Sequence, residues 1–248
     1  MEIVDVLDEL VDSANALGII APSFGTSKGK AYEVWVMLEI VVRLQKRGVN
    51  VLPLDSDGNF ERIFRVSGSP SNMPPSGGKG GGPCHFALYG RRCRLELHLG
   101  LNYVGGSTST HEFDLSVVSK REAKALRDKG GGPFTGQPLV GVELKAYTEK
   151  HKLDHGVPRA LIGVAIDLDP WLPAQRLTLT TTGGSDHYLT RTRRMRLSLL
   201  TTTKLHHSSA TYLKHYGVGA HSSVTPTSNV VAIKAIVSEI YNLCGGFR

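Results

Sequence analysis

Residues 140–147, Val-Gly-Val-Glu-Leu-Lys-Ala-Tyr, restrict the fold more than any other stretch. Val140, Val142, Leu144 and Ala146 alternate with Gly141, Glu143, Lys145 and Tyr147. A period of two is that of a strand with one buried face. Glu143 and Lys145 therefore leave the strand on its other face, side by side. Charges in so apolar a segment need a partner or a task, because burying an unpaired charge is costly. A second alternating run at 111–118 precedes this one and carries Asp114.

The rest of the chain supplies layers around these two strands. Residues 2–19 have the spacing of an acidic amphipathic helix. Residues 31–47 predict a deeply buried helix, since Val34, Trp35, Met37, Leu38, Val41, Val42 and Leu44 cover most of its circumference. Glu33, expected in its first turn, and Glu39 are the two carboxylates on that apolar cylinder. The preceding Gly25–Lys30 loop is not a phosphate loop. Its glycine spacing is one short, and Ala31 stands where Ser or Thr would follow the lysine.

Residues 49–66 read as strand, turn and strand. Residues 84–101 read as a hairpin with Leu95, Leu97 and Leu99 inward and Arg94, Glu96 and His98 outward. Ser119 and Glu122 have the spacing of a capping box at the start of a short helix. A helix over 158–168, strands at 176–182 and 188–203, and a closing helix over about 229–242 capped by Ser228 complete the expectation. Two loops share Lys-Gly-Gly-Gly-Pro, at Lys79–Pro83 and Lys129–Pro133. They are two similar connections or two mobile basic flaps.

At 248 residues with 40% hydrophobic content the chain is long enough for a sizeable core, and one elaborated domain is expected over 1–248. The formal net charge of +7 suits a polyanionic partner held through phosphates. Cys84, Cys93 and Cys244 are odd in number and lack metal-binding spacing, which favours a reducing, cytoplasmic setting. The longest apolar run, near 34–42, is too short to span a bilayer, so no membrane association is expected.

The order helix, strands, Asp114 strand, Glu143-x-Lys145 strand, helix, strand resembles the PD-(D/E)xK nuclease superfamily over about 31–182. Phe113 stands where the name-giving proline would be. The resemblance implies an α/β (α+β), restriction-endonuclease-like core, with a central mixed β-sheet flanked by helices and with glycine-rich loop insertions. Residues 1–30 would form a helical extension and 183–248 a C-terminal elaboration. It also implies a metal-dependent nuclease acting on nucleic acid, DNA before RNA, in a restriction or defence role. Asp114, Glu143 and the main-chain carbonyl of Leu144 would hold Mg²⁺, or Mn²⁺ in its place. Lys145 would contact the attacking water or the scissile phosphate. Glu33 would join the site, with Glu39 in reserve. A homodimer or higher oligomer would let the chain cut two strands.

The alternative is a nuclease-like nucleic-acid-binding protein without catalysis, in which Asp114, Glu143 and Lys145 form only an ion network. Arg191 and Arg193 share one face of the arginine-rich segment and, with Lys79 and Lys129, are the candidate phosphate contacts. A charged edge strand is the plainer account of the arginines. His151 and His155 lack the neighbouring glutamate of a zinc hydrolase, and no Gly-x-Ser-x-Gly elbow is present.

Overall fold

The computed structural model describes residues 3–22, 27–66, 71–77, 82–91, 93–147, 152–172, 178–180, 186–188 and 195–245. Within them the chain runs α1 (Ile3–Ala16), α2 (Lys28–Lys46), β1 (Asn50–Leu54), β2 (His85–Tyr89), β3 (Arg94–Val104), β4 (Thr110–Ser119), α3 (Lys120–Asp128), β5 (Phe134–Thr135) and β6 (Val140–Lys145). It continues with α4 (Gly156–Leu168), β7 (Thr178–Thr180), β8 (Asp186–Tyr188), β9 (Arg196–Thr201), α5 (His207–His215), β10 (Gly219–His221) and α6 (Val231–Leu243). This is an α+β fold on one mixed, open, eight-stranded sheet, ordered β1-β2-β3-β4-β6-β9-β10 with β5 on β3.

Helices cover both faces because both faces are apolar. One core joins α1, α2 and α6 to Leu95, Leu97, Leu99, Leu115, Val140, Val142 and Leu144. The other joins α4 and Leu213 of α5 to Leu101, Phe113, Leu197 and Leu199. Helix α2 is the centre of the first, with Tyr32, Val34, Trp35, Val36, Met37, Leu38, Ile40, Val41 and Leu44 all buried. Its start at Lys28, earlier than the apolar pattern predicts, is set by Ser27, whose side chain accepts from the Lys30 amide. Glu33 thus lies in the second turn rather than the first.

Leu99 and Leu101 are two residues apart on β3 yet serve different cores, as do Phe113 and Leu115 on β4. Strict alternation would put each pair on one face. The break falls at Gly100, which has φ +64°, and at Asp114 beside it in the β3–β4 register. A left-handed glycine is the least costly way to switch faces. The kink lies in the strand segment that carries the candidate carboxylate.

Several local expectations are corrected. The strand beside β6 after α4 is β9, which pairs with it in parallel through Val140↔Arg196 to Lys145↔Thr201. Residues 178–180 instead form a separate antiparallel pair with β8. The second arm expected within 49–66 makes only isolated bridges, Leu54↔Phe60 and Ile20↔Ile63. Ser119 precedes α3 but makes no capping bond through its side chain, and α6 follows Val230 rather than Ser228. Glu96 and His98 are not solvent-facing; the second core layer buries them to 1% and 9% exposure.

The Lys129–Pro133 loop is pinned rather than a free flap. Met73 and Gly132 exchange both backbone hydrogen bonds, each 2.8 Å. Gly131 has φ +76°, and a Cβ there would lie 2.3 Å from the Met73 carbonyl oxygen. Gly131→Ala combines a disfavoured backbone with a backbone clash. It is expected to cost about 2–4 kcal/mol, read as a fall in the urea midpoint at unchanged slope.

Candidate active site

Asp114, Glu143 and Lys145 meet where β4 and β6 part. Their backbone ladder ends at Leu115↔Val142. The next free amide on β6, that of Leu144, donates to Asp114 Oδ2 at 2.6 Å. Asp114 therefore closes the end of the ladder with its side chain, and that bond fixes the carboxylate against the Glu-x-Lys strand. Lys145 Nζ lies 2.6 Å from Glu143 Oε1 and 3.9 Å from Asp114 Oδ2, so both carboxylates flank one ammonium. The side chains of Asp114 and Glu143 are 14% and 19% exposed, and Lys145 is 29% exposed. The group is recessed but reachable.

The charges are mutually strained. Burial and the neighbouring Asp114 push the Glu143 carboxyl up to about 7, against the pull of Lys145. Burial also raises Asp114, although Lys145 and the Leu144 N–H favour its ionised form. For Lys145, burial acts downward, but Glu143 and Asp114 outweigh it and hold the ammonium above its ordinary value. Lys145 is thus a fixed cation at neutral pH and not a free base.

Glu33 reaches the site's edge from α2. Its carboxylate pairs with Lys30 Nζ at 2.5 Å, and it is raised by burial and by the field of Asp114 and Glu112. The reserve residue, Glu39, instead pairs with Arg43 one turn along α2. Two further groups belong to the site without having been expected there. Glu112 precedes Asp114 by two residues on β4 and lies within reach of its field and of those of Lys30 and Lys145. It too is raised, by burial and by Asp114. Lys30 acts on Glu33, Glu112 and Asp114. The signals for them were the spacings 112/114 and 30/33.

Four carboxylates thus share two ammonium groups; burial is the first cause that raises each of them, and the field of neighbouring carboxylates adds to it at Glu33, Glu112 and Glu143. An all-oxygen donor set of this kind suits a hard divalent cation such as Mg²⁺. Among the described residues, the one group of three His, Cys, Asp or Glu side chains whose ligand atoms lie within 4.8 Å of one another is elsewhere, at His85, Glu96 and His98. Asp114 and Glu143, which flank Lys145, are the carboxylates such a cation would meet first.

Of the candidate phosphate contacts, Lys129 is exposed and caps the C-terminus of α3. Lys79, Arg191 and Arg193, like His151, lie outside the described residues. His155 stacks on His206, and its Nδ1 lies 2.7 Å from Ser209 Oγ. Among the described residues no helix is long and apolar enough to cross a membrane. Comparison with protein-family models, with curated proteins and with solved structures finds no match to this chain.

Proposed function

We propose that the chain is a metal-dependent nuclease of the restriction-endonuclease-like class, hydrolysing phosphodiester bonds of DNA. One observation carries the reading. Asp114 on β4 and Glu143 on β6 flank the ammonium of Lys145, and the Leu144 amide ties Asp114 to the strand that bears the other two. The element order supports it. Helix α2, the antiparallel run β3-β4-β6 and helix α4 stand in the order the resemblance implies, while the parallel strand that follows, β9 at Arg196–Thr201, lies beyond the 31–182 span expected for the core.

Asp114 and Glu143 would hold Mg²⁺ (or Mn²⁺), with the Leu144 carbonyl as the third protein ligand. When bound, the ion supplies a water of lowered pKa and neutralises charge on the phosphoryl oxygens. Lys145, protonated, orients the water or a non-bridging phosphate oxygen. The water would give up a proton to solvent as its oxygen bonds to phosphorus, the bond from phosphorus to the ester oxygen would break, and the departing oxygen would take a proton from solvent. Glu33 and Lys30 border the site and set its field. Lys129 and, from the sequence, Lys79, Arg191 and Arg193 would hold phosphates away from the cut.

The competing reading is a nucleic-acid-binding protein without catalysis. It draws on the fact that Glu143 and Lys145 already satisfy each other at 2.6 Å. The test is a panel of plasmid, linear duplex, single-stranded DNA and RNA, each with Mg²⁺, Mn²⁺ or EDTA. Cleavage should need metal and should fall about 10²–10³-fold in Lys145→Ala. Binding at low salt without cleavage in any metal would favour the binding protein, and neither binding nor cleavage would reject both.

A further inference from the structure

A second cluster lies in the other layer, on the side of the sheet that α3 covers. His85 on β2 and Glu96 and His98 on β3 are 2%, 1% and 9% exposed. The register pairs Ala87 with Glu96 and places these three side chains together. His98 Nε2 is 3.0 Å and His85 Nε2 3.6 Å from the same oxygen, Glu96 Oε2. A tetrahedral ion about 2.0–2.1 Å from each ligand requires ligand atoms about 3.3–3.4 Å apart, and the two measured separations bracket that value.

The geometry points to a transition-metal site: His85 Nε2, His98 Nε2 and Glu96 Oε2 bind one Zn²⁺-class ion, with a water as fourth ligand. Two imidazoles and one carboxylate select zinc, cobalt or nickel over Mg²⁺, so this site is chemically distinct from the carboxylate site.

A second observation marks the fourth position. Arg127, 8% exposed, has an Nε with no hydrogen-bond partner. It borders, with His85 and His98, a cavity of about 10 Å³. That is about the space one water needs. Arg127 Nε–H would donate to the oxygen of that water and favour its hydroxide form. The guanidinium already donates to both oxygens of Glu96, to Oε1 at 3.1 Å and through Nη2 to Oε2, so the ion would share Oε2 with Arg127. Such an outer bond orients a ligating carboxylate. The carboxylate lies between the divalent ion and the guanidinium, and together with a bound hydroxide it offsets most of their positive charge. The ion would fasten β2 and β3 to α3 through Arg127.

Chelator-stripped full-length protein titrated with Co²⁺ should develop the visible bands of four-coordinate cobalt, saturating at one equivalent and displaced by Zn²⁺. Zinc in hundredfold excess over its Kd should raise Tm by about 5–10 °C. Both effects should vanish in His85→Asn and His98→Asn and persist in Asp114→Asn. If the histidine variants fail to fold, X-ray absorption of the zinc-loaded wild type decides. Two imidazole scatterers at about 2.0 Å are expected, and an all-oxygen shell overturns the proposal. Absence of saturable one-equivalent binding, or cobalt bands unchanged in folded histidine variants, overturns it equally.

Discussion

Glu143→Gln is expected to be inactive and yet, without divalent metal, more stable than the wild type. Burial and Asp114 lift the Glu143 carboxyl from 4.5 to about 7. A folded-state pKa raised above the unfolded value means that the native state binds the extra proton between the two. Stability contributed by that proton is therefore present at low pH and lost as pH rises from about 4.5 to 7. A tenfold change in proton affinity is worth about 1.4 kcal/mol, so ionised Glu143 costs the metal-free fold about 3 kcal/mol at pH 8. Glutamine removes the charge and part of that cost. A gain of about 1–3 kcal/mol over the wild type is expected at pH 8 in chelator, shrinking toward pH 5. The same substitution removes a cation ligand and should lower cleavage by about 10³-fold or more. Denaturant melts at the two pH values, beside a cleavage assay, check both halves. A variant destabilised at pH 8 would show that the pair with Lys145 outweighs the crowding of carboxylates.

Arg127→Met should destabilise the protein by about 3–5 kcal/mol in chelator, because it leaves Glu96 charged and buried without the guanidinium that pairs with both its oxygens. Burial alone would raise the Glu96 carboxyl. His98 and Arg127 hold it far below the usual range. His85 offers no compensating charge, since burial and the proximity of His98 push it down to about 3. Removing both charges should cost less than removing one. Arg127→Met with Glu96→Gln is expected to recover at least about 1 kcal/mol relative to Arg127→Met alone, a coupling that a double-mutant cycle in urea measures. Additive losses would mean that the two side chains act independently.

The contrast between these two clusters explains what local pattern could and could not reveal. Asp114, Glu143 and Lys145 stood out because an aspartate on one strand-like run is followed by Glu-x-Lys on the next, and that order can be read along the chain. Glu96 and His98 alternate regularly with Leu95, Leu97 and Leu99. A polar face of period two reads as solvent-exposed, and only the covering layer with Arg127 turns it into a buried network. The partner of β6 failed to show for a related reason. Residues 176–182 and 196–201 both have strand composition, and which of them joins the sheet is decided by pairing across the fold. Helix α2 was legible in its apolar span but not in its start, because Ser27 caps it a turn before the hydrophobic pattern begins. Glu112 was overlooked because the kink at Asp114 breaks the alternation by which Glu143 was grouped with Lys145.

Everything proposed for the carboxylate site requires that Asp114, Glu143 and Lys145 perform hydrolysis together with a divalent cation. Single-turnover cleavage of duplex DNA by wild type and Asp114→Asn, at saturating Mg²⁺ and again in EDTA, addresses this most directly. Cleavage by the wild type is expected in Mg²⁺ alone, with a rate at least about 10³-fold lower for Asp114→Asn. Cutting that survives EDTA, or an Asp114→Asn rate equal to that of the wild type, would contradict it.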